Sequence, residues 1–148
     1  MSASGRLTSI LVADDEAGFR DLFRFALEPL GYEVVAVSDG VEAIERLSQR
    51  PFDLVVLDVH MPRMAGPETL RRIRGLYPEQ RVIIISSGSD PDQAFESQAM
   101  SLGASLCLFK PVDFDELLAA IERTLGEPGG AAKGRDRSLK EDAIGGPS

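Results

Sequence analysis

The sequence predicts an α/β fold: a doubly wound, parallel sheet of five strands with helices on both faces. Two patterns predict it. Short runs of apolar residues recur five times along the chain, and longer stretches between them carry apolar residues three and four apart. The first pattern suits buried strands and the second suits amphipathic helices. Strands that alternate with helices pair in parallel through right-handed crossovers, which places helices over both faces of the sheet.

Strand one covers Thr8–Ala13. Helix one covers Ala17–Leu30, where Phe19, Leu22, Phe23, Ala26, Leu27 and Leu30 form one apolar stripe. Gly31 follows, and glycine just past the last turn commonly ends a helix. Strand two covers Glu33–Val37, Ser38-Asp39-Gly40 turns the chain, and helix two covers Val41–Ser48. Asp53 precedes strand three and is expected to be a turn or cap residue. Strand three, Leu54–Leu57, is continuously apolar, as a strand buried on both faces should be. Helix three covers Pro67–Gly75, with proline tolerated in its first turn. Strand four covers Val82–Ile85. Helix four covers Pro91–Leu102 with Asp90 as its N-cap; Gln93, Glu96, Ser97, Gln98 and Ser101 leave it a thin apolar stripe. Strand five covers Ser105–Phe109. Helix five follows Asp113, which stands at capping-box spacing from Glu116, and ends near Leu125-Gly126.

A chain of 148 residues suits one domain with a tail. Residues 127–148 hold four basic and four acidic residues, five glycines and two prolines, so the whole net charge of −8 sits on residues 1–126. The domain is expected over 7–126 and a disordered tail over 127–148. The tail is too short and too poor in apolar residues to form a helix-turn-helix effector. An acidic body argues against direct nucleic-acid binding, which needs a basic face. Cys107 is the single cysteine, so no intramolecular disulfide can form, and a lone thiol in an apolar run fits a reducing compartment. No run approaches the ~18 apolar residues that span a bilayer, and Met1–Arg6 has no apolar signal core. A cytoplasmic protein without membrane association is expected.

Polar residues follow the apolar runs at informative places. Asp14 and Asp15 follow strand one, Asp58 follows strand three, Ser86 follows strand four, and Lys110 follows strand five and precedes Pro111. In a parallel doubly wound sheet the C-terminal strand ends converge on one crevice, where ligands bind. Three carboxylates, a hydroxyl and an ammonium there suit a divalent cation and an oxyanion. Carboxylates so close repel, and a cation among them relieves the cost of ionising all of them. Any one of these residues alone could merely cap a helix; their joint placement argues otherwise.

Taken together, Asp14-Asp15, the stretch from Asp58 through Met61-Pro62 to Gly66, Ser86, Gly103-Ala104 and Lys110-Pro111 resemble the receiver domain of two-component response regulators in its small chemotaxis-type form. The resemblance covers about residues 7–126. It implies the flavodoxin-like sheet with strand order 2-1-3-4-5. It also implies that Asp58 accepts a phosphoryl group, and that Mg²⁺ is held by Asp15, by Asp14 mainly through water, by Asp58 and by the backbone carbonyl of His60. Ser86, with Ser87 beside it, and Lys110 would bind phosphoryl oxygens. A cis peptide is expected at Lys110-Pro111. His60 and Gly88 would tune how fast water removes the phosphoryl group. Gly18, Phe19, Leu22 and Phe25 on helix one would dock a histidine kinase or histidine phosphotransferase. The output surface would be helix four, strand five and helix five, meeting an unknown downstream protein or a second copy of the chain.

One position departs from the family pattern. An aromatic residue usually stands three before the conserved lysine; here Cys107 stands there, and a thiol does not fill the volume a ring fills. Rival expectations are a pseudo-receiver that binds partners without phosphorylation, a Mg²⁺-dependent aspartate phosphohydrolase, and a flavodoxin-type FMN carrier. The complete acidic set argues against the first. His60 replaces the second aspartate of the common aspartate phosphatases, and Asp14-Asp15-Glu16 replaces the hydroxyl-rich phosphate loop of the flavodoxins. The chain is therefore expected to be a phosphoacceptor with slow self-dephosphorylation at most, not an enzyme.

Overall fold

The computed structural model describes residues 7–86 and 90–126. The expected tail, Ser87 and Gly88 lie outside the described residues. Strands and helices alternate: β1 (Thr8–Ala13), α1 (Ala17–Leu27), β2 (Tyr32–Val37), α2 (Gly40–Gln49), β3 (Leu54–Asp58), α3 (Gly66–Leu76), β4 (Val82–Ser86), α4 (Asp90–Ser101), β5 (Leu106–Phe109) and α5 (Phe114–Leu125). The strands form one parallel sheet in the order β2-β1-β3-β4-β5. The strand order reverses between β1 and β3, which opens a crevice beyond their C-terminal ends.

Alternation along each strand feeds two cores. Ile10 and Val12 of β1 point with Phe23 and Leu27 of α1 and with Leu117 and Ile121 of α5. Leu11 and Ala13 point to the other face, with Leu47 of α2, Leu70 and Ile73 of α3, and Ala99 of α4. All six residues of β1 and all five of β3 are buried. Each fully buried Leu, Ile or Phe contributes about 1.5–3 kcal/mol relative to exposure. These two strands form a buried platform that carries the acidic residues at its end.

Three expectations need correction. Helix one was expected to reach Leu30, but the α-helix ends at Leu27 and Glu28–Leu30 is a 3-10 turn. Pro29 lacks the N–H that another α-helical turn would need. Gly31 then takes φ of 100° and donates its N–H to Glu28 O. Leu30 (43% exposed) consequently falls off the buried stripe, and Leu22 (49%) lies outside it on the helix itself; Phe23 and Leu27 fill it. Asp53 is a cross-strand clasp rather than a turn or cap residue. Its Oδ2 accepts from Ser9 N at 2.8 Å, and its own N–H donates to Ser9 O at 2.9 Å. That tie joins the starts of β1 and β3.

Close approach explains Gly66 at the start of α3. A Cβ there would lie 2.7 Å from Asp58 O and 2.8 Å from Val59 Cα, both main-chain atoms that cannot swing aside. Gly66→Ala is therefore expected to lower stability by about 2 kcal/mol or more. A thermal melt that matches wild type would contradict this packing.

Candidate functional site

β1 delivers Asp14 at its last turn, where Asp14 N–H donates to Val37 O at 3.1 Å. Asp14 is 1% exposed and Asp58, the last residue of β3, is 5% exposed, whereas Asp15 faces solvent. One carboxylate oxygen from each of the three lies within 4.8 Å of the others. Asp14 Oδ1 accepts from Glu16 N at 2.9 Å, and Arg20 Nη1 donates to Asp14 O at 2.7 Å. These contacts fix the turn between β1 and α1.

Lys110 enters from the end of β5. Its backbone N–H donates to Ser86 O at 2.7 Å, and the Lys110–Pro111 peptide is cis, as expected. Lys110 Nζ lies 3.2 Å from Asp14 Oδ2, 3.5 Å from Asp58 Oδ1 and 3.4 Å from Glu16 Oε1. It also sits 4.5 Å from the centre of the Phe19 ring, in cation–π range. Ser86 is fully buried at the end of β4. His60 is exposed beside Asp58, and Cys107 is half-buried against the core beneath α4.

One ammonium cannot balance this many carboxylates. Burial, then the charge of Asp14, pushes the Asp58 carboxyl up to about 6, against the pull of Lys110. Burial likewise raises Asp14, although the Glu16 N–H and Lys110 oppose the rise. Burial pulls Lys110 down, but Asp58 and Asp14 outweigh it and hold the ammonium above its ordinary range. Asp14 Oδ2 is buried and makes an ion pair with Lys110 rather than a well-directed hydrogen bond. A buried oxygen short of donors, in an all-oxygen set with excess negative charge, fits a hard divalent cation. Asp14, Asp15 and Asp58 could hold it.

The fold thus brings Asp14, Asp15, Asp58 and Lys110 together. Gly18, Leu22 and Phe25 share one solvent-facing edge of α1, with Phe25 81% exposed, while Phe19 turns towards Lys110. Nothing in the sequence announced that Phe19 and Glu16 meet the lysine, because Glu16 and Lys110 are 94 residues apart. The adjacency of Glu16 to the acidic pair was the one available signal.

Sheet order and crevice chemistry together define a doubly wound domain whose strand ends hold an acidic crevice suited to a divalent cation and an oxyanion. The family model for the response regulator receiver domain matches residues 10–122, and the chain belongs to that family. Receiver domains bind Mg²⁺ at an acidic pocket of this type and interact with histidine kinases or phosphotransferases. The chain is 36% identical over 122 residues to the transcriptional regulatory protein ZraR of Klebsiella oxytoca, covering 82% of this chain and 27% of that protein. It spans about a quarter of the length of the ZraR relatives it matches. It is similar to the chemotaxis protein CheY4 of Vibrio cholerae, with a TM-score of 0.73 and 29% identity over 81% of this chain and 100% of that one. It is also similar to the response regulator TrrA of Thermotoga maritima, solved in complex with Mg²⁺ and BeF, with a TM-score of 0.71 and 31% identity over 80% of this chain and 99% of that one. Among the described residues no helix is long and apolar enough to cross a membrane.

Proposed function

We propose that Asp58 is the phosphoacceptor and takes its phosphoryl group from a histidine kinase or histidine phosphotransferase that docks on Gly18, Phe19, Leu22 and Phe25 of α1. An oxygen of Asp58 attacks phosphorus, the phosphorus–nitrogen bond of the phosphohistidine breaks, and the imidazole leaves. Asp14, Asp15, Asp58 and the His60 carbonyl would hold Mg²⁺, which when bound would supply positive charge to offset that of the phosphoryl group. Lys110 supplies a positive charge beside Asp58, and Ser86 and Ser87 offer donors to the phosphoryl oxygens. His60 and Gly88 tune how fast water removes the phosphoryl group. Phosphorylation then shifts the population of the α4-β5-α5 surface, which binds a downstream protein or a second copy. Cys107, smaller than a ring, leaves that surface to switch weakly or by backbone shift alone. Residues 7–126 act as the phosphoacceptor unit.

The observation that carries this reading is Asp58 itself. Its carboxylate is buried at a strand end and lies 3.5 Å from the lysine ammonium, among two further acidic residues. The test is intact mass after incubation with a small phosphodonor and Mg²⁺. Wild type is expected to gain one phosphoryl group, and Asp58→Asn and an EDTA control none. An adduct that persists in Asp58→Asn would move the acceptor elsewhere.

A further inference from the structure

The segment between β3 and α3 contains a conflict between residue type and backbone. Arg63 has φ of 64°, the left-handed region that non-glycine residues avoid, and among the described residues it is the one non-glycine there. Such a conformation persists only where the surroundings over-determine it. Its side chain does so. Arg63 Nε donates to Asp39 Oδ2 at 2.7 Å, and Asp39 is 4% exposed. The other oxygen, Oδ1, accepts from Glu42 N at 2.9 Å and caps α2. Burial alone would raise the Asp39 carboxyl, but the Glu42 N–H and the Arg63 guanidinium outweigh it and keep it ionised.

The main chain repeats the tie: Gly40 N–H donates to Met64 O at 3.3 Å. A Cβ on Gly40 would strike Thr69 Oγ1 and lie 2.6 Å from Met64 O, so the two segments pack backbone against side chain and backbone. At the other end Val59 N–H donates to Ile85 O at 3.0 Å, and Gly66 N–H to Val59 O at 2.9 Å. His60 sits between these pins.

We propose that Arg63 is a positioning residue: through buried Asp39 it locks the β3–α3 loop in the conformation that presents the His60 carbonyl to a divalent cation. The proposal rests on the reading of the crevice as a Mg²⁺ site. It ties that site to the start of α2. A residue that orients a ligand from behind typically changes metal affinity about 10–100-fold when removed.

The test is Mg²⁺ titration calorimetry on the full chain, with thermal melts confirming that each variant is folded. Arg63→Ala and Arg63→Gly are expected to weaken Mg²⁺ binding about tenfold, the glycine variant doing so even though it relieves the backbone strain. Arg63→Lys keeps a cation that can reach Asp39 and should recover most of the loss. Asp39→Asn keeps the α2 cap but breaks the ion pair; it should weaken Mg²⁺ as much as Arg63→Ala, and the double variant should lose no more. Should Arg63→Ala not fold, Asp39→Asn decides alone. Affinity within about twofold of wild type in Arg63→Gly or Asp39→Asn overturns the positioning role and leaves the metal site standing. A wild type that takes up no Mg²⁺, or an Asp15→Asn variant that binds as tightly as wild type, overturns both.

Discussion

Asp58→Asn is expected to abolish the phosphoryl adduct and, in Mg²⁺-free buffer at pH 7, to make the protein more stable. The Asp58 carboxyl is raised from 3.8 to about 6, chiefly by burial and by the charge of Asp14. A carboxyl that holds its proton more tightly folded than unfolded stabilises the fold while protonated, fully below pH 3.8. That contribution is lost as pH rises through about 6. At neutral pH the ionised group therefore costs the fold on the order of 2–3 kcal/mol. Asparagine removes the charge and should raise the melting temperature by roughly 5–10 °C at pH 7. The gain should shrink towards zero near pH 4, where the wild-type group is already neutral. Mg²⁺ should stabilise wild type and do far less for the variant. Melts at both pH values check this. An Asp58→Asn protein less stable than wild type at pH 7 would show that the crevice does not hold unbalanced negative charge.

Lys110→Met carries the second large expected effect, in the opposite direction. Methionine keeps an unbranched chain against the Phe19 ring but removes the ammonium that faces Asp14, Asp58 and Glu16. Phosphoryl transfer from a small donor should slow about 100-fold or more, the scale seen when a preorganised charge partner is deleted. Stability at pH 7 should fall by about 1–3 kcal/mol, because two buried carboxylates lose their counter-charge. Added Mg²⁺ should restore part of that loss, since it substitutes for the missing positive charge. Time courses of intact mass give the rate and melts give the stability. A variant phosphorylated at the wild-type rate would remove Lys110 from the transfer step.

The comparison of sequence and structure is most instructive at particular residues. Alternating apolar runs and helical stripes located all the strands and helices to within a few residues, because periodicity is a local property of the chain. The end of α1 was misplaced by periodicity alone; Pro29 was the signal that outweighs it, through its missing N–H. Asp53 was read as a local turn residue, yet its partner is Ser9, 44 residues away. Arg63 was not singled out at all, since nothing about an arginine announces a positive φ. Its backbone state is held by Asp39, 24 residues earlier in the chain.

The sequence by itself determined the α/β alternation and the supply of acidic, hydroxyl and basic groups at the ends of its strands. Its resemblance to receiver domains supplied the strand order. Only the tertiary structure decided that Phe19 and Glu16 crowd the lysine, that Asp14 is sealed while Asp15 is wet, and that Arg63 pins a loop to α2. The physical reason is that hydrophobic periodicity is written within a few neighbouring residues. Burial, ion pairing and the resulting proton affinities belong to groups that meet only after distant segments have packed.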